Sequence, residues 1–109
     1  MSYDIRSIPP FDRQLKRLIR KFPSLKNEFA LLIDQLEKTP DKGTALGKGC
    51  YKIHLAIRSK GKGRSGGARV ITNFVISQET VYLLSIYDKS STATLTDKEL
   101  KELLKFVSD

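Results

Sequence analysis

Tyr51-Lys52-Ile53-His54-Leu55-Ala56-Ile57-Arg58 alternates between two sets of residues without a break. Strand side chains project to opposite faces with a period of two, so this run predicts a half-buried strand. Tyr51, Ile53, Leu55 and Ile57 form its core face, and Lys52, His54 and Arg58 project away. A core-facing helix would instead repeat its apolar positions every three or four residues.

Working downstream, Ser59 to Gly67 holds Gly61, Gly63, Gly66 and Gly67 among Lys60, Lys62, Arg64 and Ser65. This composition cannot pack a core and reads as a basic loop between strands. Ala68 to Ile76 is a second strand and Val81 to Tyr87 a third, joined by Ser77-Gln78-Glu79-Thr80. On the second strand Val70, Phe74 and Ile76 make the better core face, which sets Arg69 beside Lys52 and His54. Thr96 with Glu99 is a capping box, and Leu100, Leu103, Leu104 and Val107 give a C-terminal helix its stripe.

Upstream the period changes to that of a helix. Pro9-Pro10 suits a first helical turn, and Phe11, Leu15, Leu18, Ile19 and Phe22 follow as one stripe. Arg13, Lys16, Arg17 and Arg20 lie elsewhere on that helix. Pro23 stops it, Ser24 is an N-cap, and Leu25, Phe29, Leu32, Ile33 and Leu36 give the second helix its stripe. A short strand around Tyr3, Ile5 and Ile8 precedes both, and Asp41-Lys42-Gly43 and Gly47-Lys48-Gly49 are turns. The order β-α-α-β-β-β-α predicts an α+β fold: a small antiparallel sheet with a helical hairpin and a C-terminal helix, the helices on one face. The 109 residues suit one domain, residues 1–109, with one core.

Twenty basic and twelve acidic residues give a net charge of +8. No acid occurs between Asp41 and Glu79, while Lys42, Lys48, Lys52, Arg58, Lys60, Lys62, Arg64 and Arg69 fall inside that window. The rest of the chain sums to zero, so the excess belongs to the central strands and their loop. Such a patch attracts a polyanion, although a basic surface also serves solubility. The first residues carry no apolar targeting segment and no apolar run approaches the ~18 residues of a membrane span, so a cytoplasmic protein without a membrane partner is expected. The single Cys50 cannot form an internal disulfide, and no Cys/His set suits zinc, so no metal or cofactor is expected.

Alternation thus predicts a cationic face of Lys52, His54 and Arg69, rimmed by the basic loop and closed by Lys89. The loop lacks the Gly-x4-Gly-Lys-Ser/Thr spacing of a P-loop, and one histidine cannot be assigned to a Ser/His/Asp set without its partners. Metal-independent RNA cleavage fits better. It needs a base for the 2′-hydroxyl, an acid for the leaving 5′-oxygen and a cation for the phosphorane. Clustered cations disfavour each other's protonated forms, which moves such groups toward service as bases. Against this stand plainer roles: Lys52, Arg58 and His54 as ordinary surface residues, and Arg69 as partner of a carboxylate such as Asp88. Cys50 reads as structural.

The same residues resemble the RelE/ParE superfamily of toxins from bacterial type II toxin–antitoxin systems, nearest its RelE and HigB branches. The resemblance rests on Leu36-Glu37-Lys38-Thr39-Pro40, on Gly49-Cys50-Tyr51-Lys52-Ile53-His54-Leu55, on Lys60 to Ile71, and on Leu83 to Ser90. It implies a ribosome-dependent mRNA endonuclease with Lys52, His54, Arg69 and Lys89 as catalytic positions. Arg58, Lys60, Lys62 and Arg64 are then RNA-binding. The implied partners are a cognate antitoxin, the ribosome and mRNA, with no small-molecule substrate. The tyrosine that follows the last basic position in the RelE branch has no counterpart in Ser90 to Leu95. ParE members share the fold but poison DNA gyrase, so a gyrase poison and a noncatalytic RNA-binding module are the alternative readings.

Overall fold

The computed structural model describes residues 2–58, 67–90 and 95–107. Its elements are β1 (Asp4–Ser7), α1 (Pro9–Lys21), α2 (Leu25–Lys38), β2 (Thr44–Gly47), β3 (Cys50–Leu55), β4 (Ala68–Val75), β5 (Thr80–Asp88) and α3 (Asp97–Leu104). The expected β-α-α-β-β-β-α order is present, with β2 as an additional short strand. Gly47, Lys48 and Gly49 all have positive φ, and that left-handed turn folds Thr44–Gly47 back onto β3. The Gly47-Lys48-Gly49 turn is thus present, and residues 44–46, assigned to no element between the two expected turns, form a hairpin arm.

The sheet runs β1-β5-β4-β3-β2. β2 to β5 form the antiparallel meander, and β1 adds a parallel edge along Thr80–Leu83 of β5. Sequence patterning fixes which residues are strand but not which edge the first strand joins. Beyond Leu83 the outer edge of β5 has no strand partner among the described residues. There α1 covers it: the Gln14 side-chain oxygen accepts the Ile86 N–H at 3.1 Å and the Ser85 hydroxyl at 3.2 Å. One side chain supplies what a neighbouring strand would have supplied.

Tyr51, Ile53 and Leu55 of β3 share a face with Val70, Thr72 and Phe74 of β4, as the alternation requires. Phe11 of α1 is fully buried and meets Phe29 of α2 at 5.7 Å between ring centroids. Leu25, Leu32 and Leu36 are buried from α2. Each such side chain contributes about 1.5–3 kcal/mol through removal from water. Ile76, expected on this core face, is instead 75% exposed, because β4 ends at Val75 and the chain enters a 3-10 turn, Ile76–Gln78. Ser24 stands at the N-cap of α2 as expected, but it does not cap the backbone. Its own backbone is helical and its hydroxyl donates to Glu28 Oε1 at 3.1 Å.

The opposite face is not bare. Cys50, Ile71 and Asn73 alternate onto it and are buried. α3 packs against β5, and its Leu100 and Leu104 line a recess with Leu46, Gly47 and Lys48. Lys48 in turn accepts the Asn73 amide at 3.1 Å. The C-terminal helix thus covers one end of the second face, rather than joining α1 and α2 on the first. Its N-terminus carries the predicted capping box, with both the Thr96 and Glu99 bonds formed. Among the described residues no helix is long and apolar enough to cross a membrane.

Candidate functional site

The other end of that second face holds the basic residues. His54 and Arg69 are direct cross-strand partners, and Lys52 lies two residues along β3, opposite Ile71. Directly paired residues put their Cβ atoms about 4.5–5.5 Å apart and on one side of the sheet. Arg69 is paired on its other side with Tyr87, so His54, Arg69 and Tyr87 form one row across three strands. A bulge at Leu84 sets that register: Thr72 pairs with Leu83 but Ile71 with Ser85, so β5 carries one extra residue there.

Lys52, His54 and Arg69 line a shallow hollow of about 420 Å³ together with Lys42, Gly43 and Thr44. Among the described residues no carboxylate contributes to its wall. His54 is exposed, while Lys52 and Arg69 are half-buried. Arg69 Nη1 donates to the Ala68 carbonyl at 3.2 Å. Asp88, the alternative partner for Arg69, pairs with Ala68 and therefore alternates to the other face. Its Oδ1 accepts from the Ser90 N–H and hydroxyl at 3.0 and 2.9 Å.

Lys89 is exposed just beyond β5, and its N–H donates to the Gly67 carbonyl at 3.2 Å. That bond extends the β4–β5 ladder by one residue and keeps Lys89 in phase with Tyr87 and Arg69. Arg58 does not share this placement. β3 ends at Leu55, three residues short of the expected end, and the Arg58 N–H donates to Glu28 of α2 at 2.6 Å. The alternation that would have carried Arg58 onto the Lys52–His54 face has stopped by then. Lys60, Lys62 and Arg64 lie outside the described residues.

Two features of the site escaped the sequence reading. Lys42 and Thr44 reach the hollow because β2 folds back onto β3, which the Gly47-Lys48-Gly49 spacing could have signalled. Tyr87 enters the row because of the Leu84 bulge, which has no sequence signature. Its hydroxyl is buried with no hydrogen-bond partner among the described residues. Burial pushes the phenol pKa up; the Arg69 charge opposes this and Glu99 reinforces it. Cys50, at the covered end, is also pushed up by burial, against a bond from Asn73 Nδ2 at 3.5 Å and the charge of Lys48. Burial of the thiol suits the structural role read for Cys50.

No family model matches the chain. Among solved structures it is similar to a double mutant of the E. coli toxin RelE in the free state. That likeness has 20% identity and a TM-score of 0.62, covering 99% of this chain and 100% of the other. The chain has the RelE fold. The isolated E. coli RelE toxin in another crystal form matches at 16% identity and TM-score 0.49, over 97% of this chain and 100% of that one. The intact E. coli RelBE toxin–antitoxin complex matches at 18% and 0.48, over 78% and 94%. On this RelE-like scaffold the hollow sits on rigid paired strands, where reacting groups can be held in place. A hollow whose described wall carries basic residues and no carboxylate suits a phosphate, whose charge it can neutralise from several sides.

Proposed function

We propose that the chain is the toxin of a type II toxin–antitoxin pair and cleaves mRNA on the ribosome, without a metal, by attack of a 2′-hydroxyl. The observation that carries this reading is the direct pairing of His54 with Arg69 in a hollow that Lys52 shares and that no carboxylate among the described residues enters. The RelE fold supports it. In the reaction the 2′-oxygen bonds to the adjacent phosphorus while the bond to the 5′-oxygen breaks, leaving a cyclic phosphate and a 5′-hydroxyl. Lys52 is the favoured proton-transfer group, with His54 its alternate or accomplice. Between them they take the proton of the attacking hydroxyl and return one to the leaving oxygen. Arg69 stabilises the charge on the phosphorane, for which its planar fork is suited. Lys89 is a secondary phosphate contact. Arg58, Lys60, Lys62 and Arg64 hold the flanking backbone.

A toxin of this kind acts in the cytoplasm and requires an antitoxin, here a protein that lays an acidic or amphipathic segment on the basic face. The test is to incubate the chain with ribosomes carrying a defined mRNA and to map new 5′ ends, beside a gyrase supercoiling assay. Cuts that require the ribosome and end in 5′-hydroxyls are expected. Intact mRNA together with inhibited supercoiling would replace this reading by the gyrase poison; RNA binding with neither activity would replace it by the noncatalytic module.

A further inference from the structure

A second basic surface lies outside the hollow. Arg13, Lys16, Arg17 and Arg20 fall at i, i+3, i+4 and i+7 on α1, and all four are exposed. That spacing lines them along one stripe, roughly 10 Å long at about 1.5 Å per residue. The one acid of α1, Asp12, stands in the first turn and accepts the Ser7 hydroxyl. Acids elsewhere in the chain balance this stripe in sum, but none of them lies on α1.

Folding supplies no reason for it. Like charges at these spacings repel and weaken a helix. Arg20 and Lys21, in the last turn, at least complement the helix dipole, but Arg13 and Lys16 do not. The stripe also leads somewhere. α1 runs along the open edge of β5, where Arg17 and Lys21 line a recess of about 270 Å³ with Tyr87 and Asp88. Tyr87 is the cross-strand partner of Arg69, and Lys89 follows Asp88. The Asp88 carboxylate is held by Ser90 at that corner.

We infer that the α1 stripe is a second anion track, holding an RNA phosphate backbone and continuing around the end of β5 toward Arg69. The inference rests on the RNA reading of the hollow and adds a binding surface to it. Three of the four cations are arginines, whose forks grip phosphate bidentately. An amphipathic protein segment would bury apolar area as well. The exposed large apolar side chains among the described residues are Leu31, Leu46, Ile76 and Phe106, none of them on α1.

The test replaces Arg13, Arg17 and Arg20 together by Gln. Binding is measured against salt with two probes, a 2′-O-methylated RNA oligonucleotide that cannot be cut and vacant ribosomes. The log–log salt slope on the single strand should fall by about 2, near 0.7 per lost phosphate contact. Affinity at low salt should fall at least tenfold, and the thermal midpoint should hold or rise as repulsion is relieved. Loss confined to the oligonucleotide makes the message the occupant; loss confined to ribosomes makes it ribosomal RNA. Unchanged slopes on both probes overturn the inference, as does a variant that binds RNA normally but no longer retains a protein partner. Neither readout requires cleavage. A wild type that binds steeply yet never cuts would fail the proposed reaction and leave the track standing.

Discussion

Arg69 of β4 and Tyr87 of β5 are directly paired, and the Tyr87 hydroxyl is buried without a hydrogen-bond partner among the described residues. Burial raises the phenol pKa, so the native chain keeps a proton that the unfolded chain sheds. The stabilisation is complete below the ordinary phenol value and is lost as pH rises through the raised one. Tyr87→Phe removes the unsatisfied hydroxyl and keeps the ring. Stability at neutral pH should hold or rise by up to about 1 kcal/mol. The alkaline loss should become shallower without vanishing, because Cys50 is raised by burial too. Denaturant melts at neutral and alkaline pH would decide it. An identical alkaline loss in the variant would remove Tyr87 from the account.

Arg69→Ala tests the proposed chemistry. A preorganised charge-stabilising donor in a partly dehydrated site is worth about 2.7–4 kcal/mol of barrier. Single-turnover cleavage on ribosomes should therefore slow by around a hundredfold or more, with binding much less affected. Lys60→Ala, Lys62→Ala and Arg64→Ala should do the reverse: weaken binding and flatten its salt dependence while sparing the chemical step. Normal single-turnover rates in Arg69→Ala would mean that the reacting phosphate lies elsewhere.

The convergence of Lys52, His54 and Arg69 was legible because period-two alternation is a local rule: given β3 and β4 as neighbours, their faces follow from the residues themselves. Helices α1 and α2 were legible for the same reason, from stripes of Phe and Leu. What was not legible depends on partners distant in sequence. The parallel docking of β1, the Leu84 bulge and the packing of α3 against β5 are choices of tertiary packing. Ile71, beside Arg69 in sequence, shows the limit. Alternation put it on the cationic face correctly, yet it is 1% exposed, because that face is only partly open. The α1 stripe was visible residue by residue, and a balanced charge sum concealed it.

Gly43 joins the fold to the site. It has φ +108°, and a Cβ there would stand 2.5 Å from the Lys52 carbonyl and 2.9 Å from Ile53 Cγ1. Any side chain is strained by the backbone angle and must also push β3. Gly43→Ala should lower stability by about 1–3 kcal/mol. Because Lys52 is the residue displaced, cleavage should fall further than RNA affinity, by roughly ten- to a hundredfold for a shift near 1 Å. A variant that folds less stably but cleaves at the normal rate would show that the Lys52 main-chain position is not critical.

α3 spans only eight residues, Asp97–Leu104, so its cap matters more than in a longer helix. The Glu99 N–H donates to Thr96 Oγ1 at 3.1 Å, and the Thr96 N–H donates to Glu99 Oε1 at 2.9 Å. The backbone N–H of Thr96, then its side chain, hold the Glu99 carboxyl below its usual range. A depressed carboxylate stabilises the native state above the ordinary pKa, and that contribution is lost as pH falls through the depressed value. Acidification should therefore loosen α3 first, exposing the recess that Leu100 and Leu104 line with Leu46. Hydrogen exchange, corrected for its intrinsic pH dependence, should show α3 amides losing protection in acid before those of β4 and β5. Glu99→Gln keeps an acceptor oxygen but cannot titrate, so its α3 protection should change less with pH over this range than that of the unaltered chain. Thr96→Ala should weaken the helix at every pH by about 0.5–2 kcal/mol, the usual worth of an N-cap. Equal α3 protection in acid and at neutral pH in the unaltered chain would refute the coupling.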